Sequence, residues 1–221
     1  MSIVHWVLIG SAVFAAVLAI RAYYLDAARC WQAYVFKPLA TLLVLALALS
    51  QPASLPAYRW AVAAGLAFST AGDVFLMLPR DRFVAGLASF LIAHLFYIYA
   101  FSIGVPFGTA PLLWLPFFAA GGAVVAVIWR GVAPAMLGAV IAYVVVIAVM
   151  AGQAAGRWHA VGGDAALAAA AGAALFVVSD SILAINRFRA QVHAERAMTL
   201  GSYWAAQLLI ALSIPASPFA G

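Results

Sequence analysis

The chain has 221 residues, of which 68% are hydrophobic and only 8% are charged. A water-soluble domain carries about 25% charged residues, so a mean hydropathy of +1.13 excludes a soluble fold, together with the disordered, collagen-like and disulfide-rich classes. In a chain whose solvent is mostly lipid, the net charge of +5 reports orientation first, and no nucleic-acid partner is expected. Cys30 stands alone, which forbids an intramolecular disulfide and matches no metal spacing.

Eight apolar runs follow one another: Ile3–Ile20, Pro38–Leu49, Trp60–Leu78, Phe83–Ile103, Leu112–Trp129, Pro134–Ala151, Asp164–Ile185 and Ala197–Ile214. Most approach the roughly 20 residues that a helix needs to cross the hydrocarbon. The second is short and is expected to begin upstream, near Tyr34. Long Ala, Leu and Val runs without alternation predict helices and not a barrel. The N-terminus lacks a basic segment before its apolar run and reads as a first helix, not a cleaved signal. The breaks leave no room for a soluble domain. The expected fold is therefore all-α: one integral membrane domain over residues 1–221, a polytopic bundle of eight transmembrane helices.

Charge predicts its orientation. The odd-numbered breaks hold Arg21, Arg29, Lys37, Arg80, Arg82, Arg130, Arg187, Arg189 and Arg196, and the even-numbered breaks only Arg59 and Arg157. By the positive-inside rule both termini lie outside the cytoplasm, in what is expected to be a bacterial cytoplasmic membrane. Pro38, Pro52, Pro56, Pro79, Pro106, Pro111, Pro134, Pro215 and Pro218 are expected at helix ends or in breaks, with Pro116 in the first turns of helix 5. Broken helices of the transporter kind are not evident.

An offset of four helices sets Asp73 on Asp180. It also brings Ala61, Ala63, Ala64, Gly65, Ala67, Leu76 and Arg80 onto Ala168, Ala170, Ala171, Gly172, Ala174, Leu183 and Arg187. This pattern suggests a 4+4 parallel internal repeat.

Six acidic residues exist. Asp26 and Asp81 fall in breaks, Glu195 just before helix 8, and Asp164 at the start of helix 7, where it suits an N-cap; solvation or capping explains all four. Asp73 and Asp180 lie inside apolar helices. An intramembrane carboxyl costs about 2.5–3.5 kcal/mol on the insertion scale and marks a function by default. Each stands five residues from its run's end, roughly 7–8 Å below that boundary at 1.5 Å per residue, so both can face one cavity. The competing reading is that each carboxyl glues helices through local partners such as Ser69 and Thr70.

Other polar side chains share those depths. His94 and Tyr97 lie on one face of helix 4, and Tyr203 and Gln207 on one face of helix 8. Packing explains each alone; together they outline a polar cavity. Lys37 opens helix 2, either snorkelling to the interface or contacting a phosphate or carboxylate. There is no HExxH, paired Cys, GxSxG or P-loop lysine, and the four His residues are scattered, so metal and serine-nucleophile chemistry find no support.

Gly72-Asp73-Val74-Phe75-Leu76 with Phe83, Gly86, Phe90, His94 and Tyr97, and Gly172 through Ser179-Asp180 with Tyr203, Gln207 and the Lys37-Pro38 pair, resemble the YhhN-like lysoplasmalogenase family over essentially the whole chain. The resemblance implies an eight-helix bundle that hydrolyses the vinyl ether bond of lysoplasmalogens, releasing a fatty aldehyde and glycerophosphoethanolamine or glycerophosphocholine. It implies a lysophospholipid substrate among membrane lipids.

That chemistry suits the residues independently. Protonation of a vinyl ether at its β-carbon gives an oxocarbenium ion, water adds, and the hemiacetal collapses. An acid, a nearby anion and a base are needed, and two carboxyls can divide these roles as in glycosidases. The site reading is thus Asp73 and Asp180 as the acid/base pair, with Lys37, His94, Tyr97, Ser179, Tyr203 and Gln207 around the substrate and no metal or cofactor. Two alternatives stand beside it: a proton-coupled transporter relaying protons through the aspartates, and a lipid-binding membrane protein without catalysis.

Overall fold

The structure, a computed structural model, describes residues 2–25, 31–192 and 194–214. Asp26, Arg29, Cys30, His193, Pro215 and Pro218 lie outside the described residues. Among the described residues there are eight α-helices and no strand: α1 (Ile3–Ala22), α2 (Trp31–Ser50), α3 (Pro56–Met77), α4 (Phe83–Ser102), α5 (Leu115–Ile128), α6 (Pro134–Val161), α7 (Gly163–Phe188) and α8 (Glu195–Leu212). Short 3₁₀ turns, Pro111–Trp114 and Trp129–Gly131, extend α5 at both ends. Seven of these spans are long and apolar enough to cross a membrane, and many large apolar side chains, Trp6, Phe14, Leu95 and Leu115 among them, face outward. The chain is an integral membrane protein. The eighth helix, α8, is the most polar: it carries Glu195, Arg196, Thr199, Ser202 and Gln207 in 18 residues.

Prolines and glycines set most boundaries. Pro56 and Pro134 open α3 and α6, where a missing N–H costs nothing. Between α6 and α7 the chain reverses at Gly162 and Gly163, both at φ above +70°, a region that glycine enters without steric cost. Gly162 is consequently the N-cap of α7, and Asp164 stands inside the first turn, where its charge faces the helix dipole.

Three expectations are corrected here. Pro38 is inside α2 and not at its end: the helix starts at Trp31, so its second turn runs through a residue with no N–H to return to the Tyr34 carbonyl. Lys37 is likewise an interior residue of α2. Arg157 is not in a break, because α6 continues ten residues past Ala151. There the Arg157 guanidinium is buried, donates to the Ile103 carbonyl at 2.6 Å and lies over the Tyr58 ring at 5.0 Å, closing the carbonyl end of α4.

Helices pack chiefly as sequential neighbours, with α3 against α4 and α7 against α8 the most extensive pairs. The two halves of the chain meet where α4 packs on α6 and α8 on α2. The first helix of each half differs: α1 packs on α2 and α8, whereas α5 packs on α6 and α7. Small residues make the α3–α4 seam tight, as in membranes generally. A Cβ on Gly65 would stand 2.3 Å from the Tyr97 ring, one on Gly72 2.6 Å from the Phe90 ring. Gly172 plays the matching part toward α8, where a Cβ would meet the Ala206 carbonyl at 2.9 Å.

Candidate active site

A cavity of about 340 Å³ opens at the end of the bundle where α3 leads into α4 and α7 into α8. Asp73 from α3 and Asp180 from α7 both line it. Their distances from the helix ends are unequal, contrary to the sequence reading: Asp73 stands four residues before Met77, Asp180 eight before Phe188, because α7 runs three residues beyond Ile185.

Asp73 is almost wholly buried, and its partners come from other helices. Thr41 of α2 and Tyr203 of α8 donate their hydroxyls to Oδ2 at 2.7 and 2.8 Å. Lys37 Nζ lies 3.4 Å from Oδ1. Trp204 in turn donates Nε1–H to the Thr41 hydroxyl at 3.2 Å. The local glue anticipated from Thr70 is absent: that hydroxyl turns back to the Leu66 carbonyl at 2.9 Å. Lys37 is 5% exposed and stands in the wall of the cavity with Asp73.

Asp180 has a plainer setting. It is only partly buried, the Tyr143 hydroxyl of α6 donates to its Oδ2, and it makes no ion pair among the described residues. Next to it, Ser179 is buried and ties α7 to α8 by donating to the Thr199 carbonyl at 3.0 Å.

The remaining sequence candidates sit deeper. Tyr97 donates to Gln207 Oε1 at 2.7 Å, which joins the polar pairs of α4 and α8 into one buried contact. His94 is fully buried and is packed edge-on against Tyr143 and Phe176, ring centroids 5.3 and 4.7 Å away. Neither of its ring nitrogens has a hydrogen-bond partner among the described residues. His94, Tyr97 and Gln207 are not in the wall of the polar cavity.

Sequence reasoning missed four residues around the carboxyls: Thr41, Tyr143, Trp204 and Glu195. Tyr143 was findable, being the one polar side chain in the run Val140–Met150. Thr41 and Trp204 look like any small or aromatic residue of a membrane helix. Glu195, read as solvated, is the first residue of α8 and is buried in the cavity wall beside Arg196 at 3.5 Å. At the rim Arg187 pairs with Asp81 at 2.5 Å and lies over the Phe83 ring at 4.9 Å. Arg82 also lines the cavity and has no carboxylate partner among the described residues. Asp81 is held below the usual carboxylate range by the Arg187 hydrogen bond and, secondarily, by the Phe83 backbone N–H.

Behind Asp180 lies a second, apolar space of about 60 Å³ between α4, α5, α6 and α7. Phe90 and Leu183 are common to both spaces, and Asp180 is the one carboxyl in the slot's wall. Asp180 thus borders both a polar chamber and a small apolar one. Among the described residues no three His, Cys, Asp or Glu side chains gather as a metal site would require.

The YhhN family profile matches residues 32–214. A membrane protein named YhhN in Escherichia coli O157:H7 is 30% identical over 184 residues, 83% of this chain and 88% of the relative. The human lysoplasmalogenase TMEM86A is 35% identical over 156 residues, covering 67% of this chain and 62% of its own length. The human lysoplasmalogenase TMEM86B is 34% identical over 164 residues, covering 73% and 66%. No solved structure matches the chain. With the profile spanning all but the first helix and the extreme C-terminus, this chain belongs to the YhhN family.

Proposed function

We propose that the protein is an intramembrane hydrolase that cleaves the vinyl ether bond of a lysoplasmalogen, releasing a fatty aldehyde and a glycerophospho-alcohol. The observation that carries this reading is the opening of two aspartates from different helices into one cavity, with an apolar slot on the other side of Asp180. A single-chain lipid matches that shape: its alkenyl tail in the slot, its vinyl ether at the carboxyls, its phosphate among Arg82, Arg187 and Arg196 at the rim. The lysoplasmalogenase activity named for the TMEM86 relatives supports the same substrate class. Both α3 and α7 run unbroken through their aspartates, unlike the discontinuous helices of many transporter sites, which disfavours the transporter alternative.

The basic rim gives the orientation part of the proposal: positive-inside bias sets it at the cytoplasmic leaflet with both termini opposite. Proximity and acid–base catalysis then suffice without a cofactor, since the substrate needs only a proton, a nearby anion and water. The test is direct. Purified protein in detergent is given an alkenyl lysolipid, and aldehyde is followed by trapping. Aldehyde release from the alkenyl but not the acyl lysolipid is the expected result; binding of both without aldehyde would leave only the lipid-binding reading.

A further inference from the structure

We propose that the two aspartates have fixed and different parts: Asp73 is a permanent carboxylate held by Lys37, Thr41 and Tyr203, and Asp180 alone carries the protons. The inference rests on the hydrolase reading above for its chemistry, though not for its electrostatics.

The argument starts with hydrogen-bond inventory. An ionised carboxylate only accepts, and Asp73 meets three donors: two hydroxyls on Oδ2 and an ammonium at Oδ1. The contact behind Thr41 agrees with Thr41 as the donor. An indole N–H can only donate, so Trp204 occupies a lone pair of the Thr41 oxygen and leaves its hydrogen for Asp73. Burial penalises charge at both aspartates; what differs is compensation. Lys37 is buried with no other carboxylate beside it among the described residues, and a neutral Asp73 would leave that ammonium uncompensated, which is strongly unfavourable. Asp180 has one donor, Tyr143, and no cation in contact. A neutral carboxylic acid there needs no counter-charge.

The proton balance closes with one moving group. The Asp180 O–H gives its proton to the β-carbon of the alkenyl ether. The C=C π pair forms the new C–H bond, and an ether lone pair forms the C=O⁺ bond of the oxocarbenium ion, which Asp73 stabilises. Water adds to the α-carbon, the carbon of the C=O⁺ bond, and gives a proton to the Asp180 carboxylate, leaving a neutral hemiacetal. In the last step Asp180 passes its proton to the glycerol oxygen as the C–O bond breaks. Its other oxygen takes the hemiacetal hydroxyl proton. Asp180 ends protonated and Asp73 has stayed ionised throughout. In this scheme Lys37, Thr41 and Trp204 are positioning residues that act through Asp73.

Infrared spectroscopy of the full chain in lipid nanodiscs, without substrate, reads the protonation directly. At neutral pH a C=O stretch of a protonated carboxylic acid is expected in the wild type, retained in Asp73→Asn and lost in Asp180→Asn. Lys37→Met is expected to add a second such band, absent from Lys37→Met combined with Asp73→Asn. A wild type without the band, a band that follows Asp73 or both residues, or a Lys37→Met spectrum like the wild type overturns the inference. Should the aspartate variants fail to fold, Thr41→Val and Trp204→Phe carry the test. Thr41→Val is expected to lower kcat about tenfold, the worth of one hydrogen bond to a charged group, and Trp204→Phe, which loses a bond to a neutral hydroxyl, about threefold, both with KM within about twofold, and Thr41→Ser keeps the wild-type rate. An unchanged kcat, or a raised KM instead, overturns the positioning role. Aldehyde release with the band on Asp73 removes this inference alone; the expected spectra with no aldehyde remove the hydrolase reading alone.

Discussion

Lys37 Nζ stands 3.4 Å from Asp73 Oδ1 with 6% of one side chain and 2% of the other exposed. A cation that the sequence places at a helix mouth is in fact spent inside the bundle on a carboxylate. Neutralising it as Lys37→Gln is therefore expected to collapse kcat while leaving KM within about twofold, the pattern of a group that serves the transition state. Steady-state kinetics on an alkenyl lysolipid decide it. A raised KM at constant kcat would return Lys37 to the headgroup.

Asp73→Asn and Asp180→Asn are each expected to reduce turnover by at least about 10²-fold, since acid–base and electrostatic terms each supply 10²–10⁴. Asn keeps the shape and one acceptor, so both variants should elute from size exclusion as the wild type does. Retention of more than roughly a tenth of the rate by either variant, against that magnitude, removes that residue from the mechanism.

On the proposed hydrolase reading, with Lys37 paired to Asp73, the headgroup phosphate is assigned to the rim. Arg82 lines the cavity without a carboxylate partner among the described residues. Arg82→Gln is expected to raise KM about tenfold, near the energy of one charge-assisted hydrogen bond, with kcat within twofold. The control is a lysolipid analogue lacking the phosphate, whose KM should not respond.

Gly65→Ala sets two effects against each other. Alanine favours a helix by about 1 kcal/mol over glycine, but its Cβ would fall 2.3 Å from the Tyr97 ring. That ring cannot swing away, because its hydroxyl is held by Gln207 at 2.7 Å. Overpacking of about 1–3 kcal/mol wins, and a lower melting temperature in detergent is expected. An equal or higher melting temperature sinks this reading of the α3–α4 seam.

Asp81 yields a pH dependence. The Arg187 contact holds its carboxyl below the usual range, so the contact contributes stability above the ordinary Asp value and loses it as pH falls through the lowered one. The pair is solvent-exposed, so the contribution is small and salt-screened. Melting curves of wild type and Asp81→Asn should differ slightly at neutral pH in low salt and converge on acidification. Curves that diverge toward low pH contradict the assigned direction.

The amino-acid sequence by itself determined the solvent, the helical class and the two carboxyls that stand inside apolar helices. Hydrocarbon accepts a backbone only when its hydrogen bonds close locally, so eight apolar runs became eight helices, and two carboxyls inside such runs stood out because charge is so costly there. Helix ends were less legible: α6 ran on through Arg157, since a residue that buries its charge need not end a helix, and α2 began at Trp31, three residues ahead of the expected start near Tyr34. What only the tertiary structure decided is who meets whom. Thr41, Tyr203 and Lys37 reach Asp73 across sequence distances that carry no periodic signal, as Tyr143 reaches Asp180. A helix face fixes direction but not partner, and the partner is set by how α2, α6 and α8 pack around the pair that carries the aspartates.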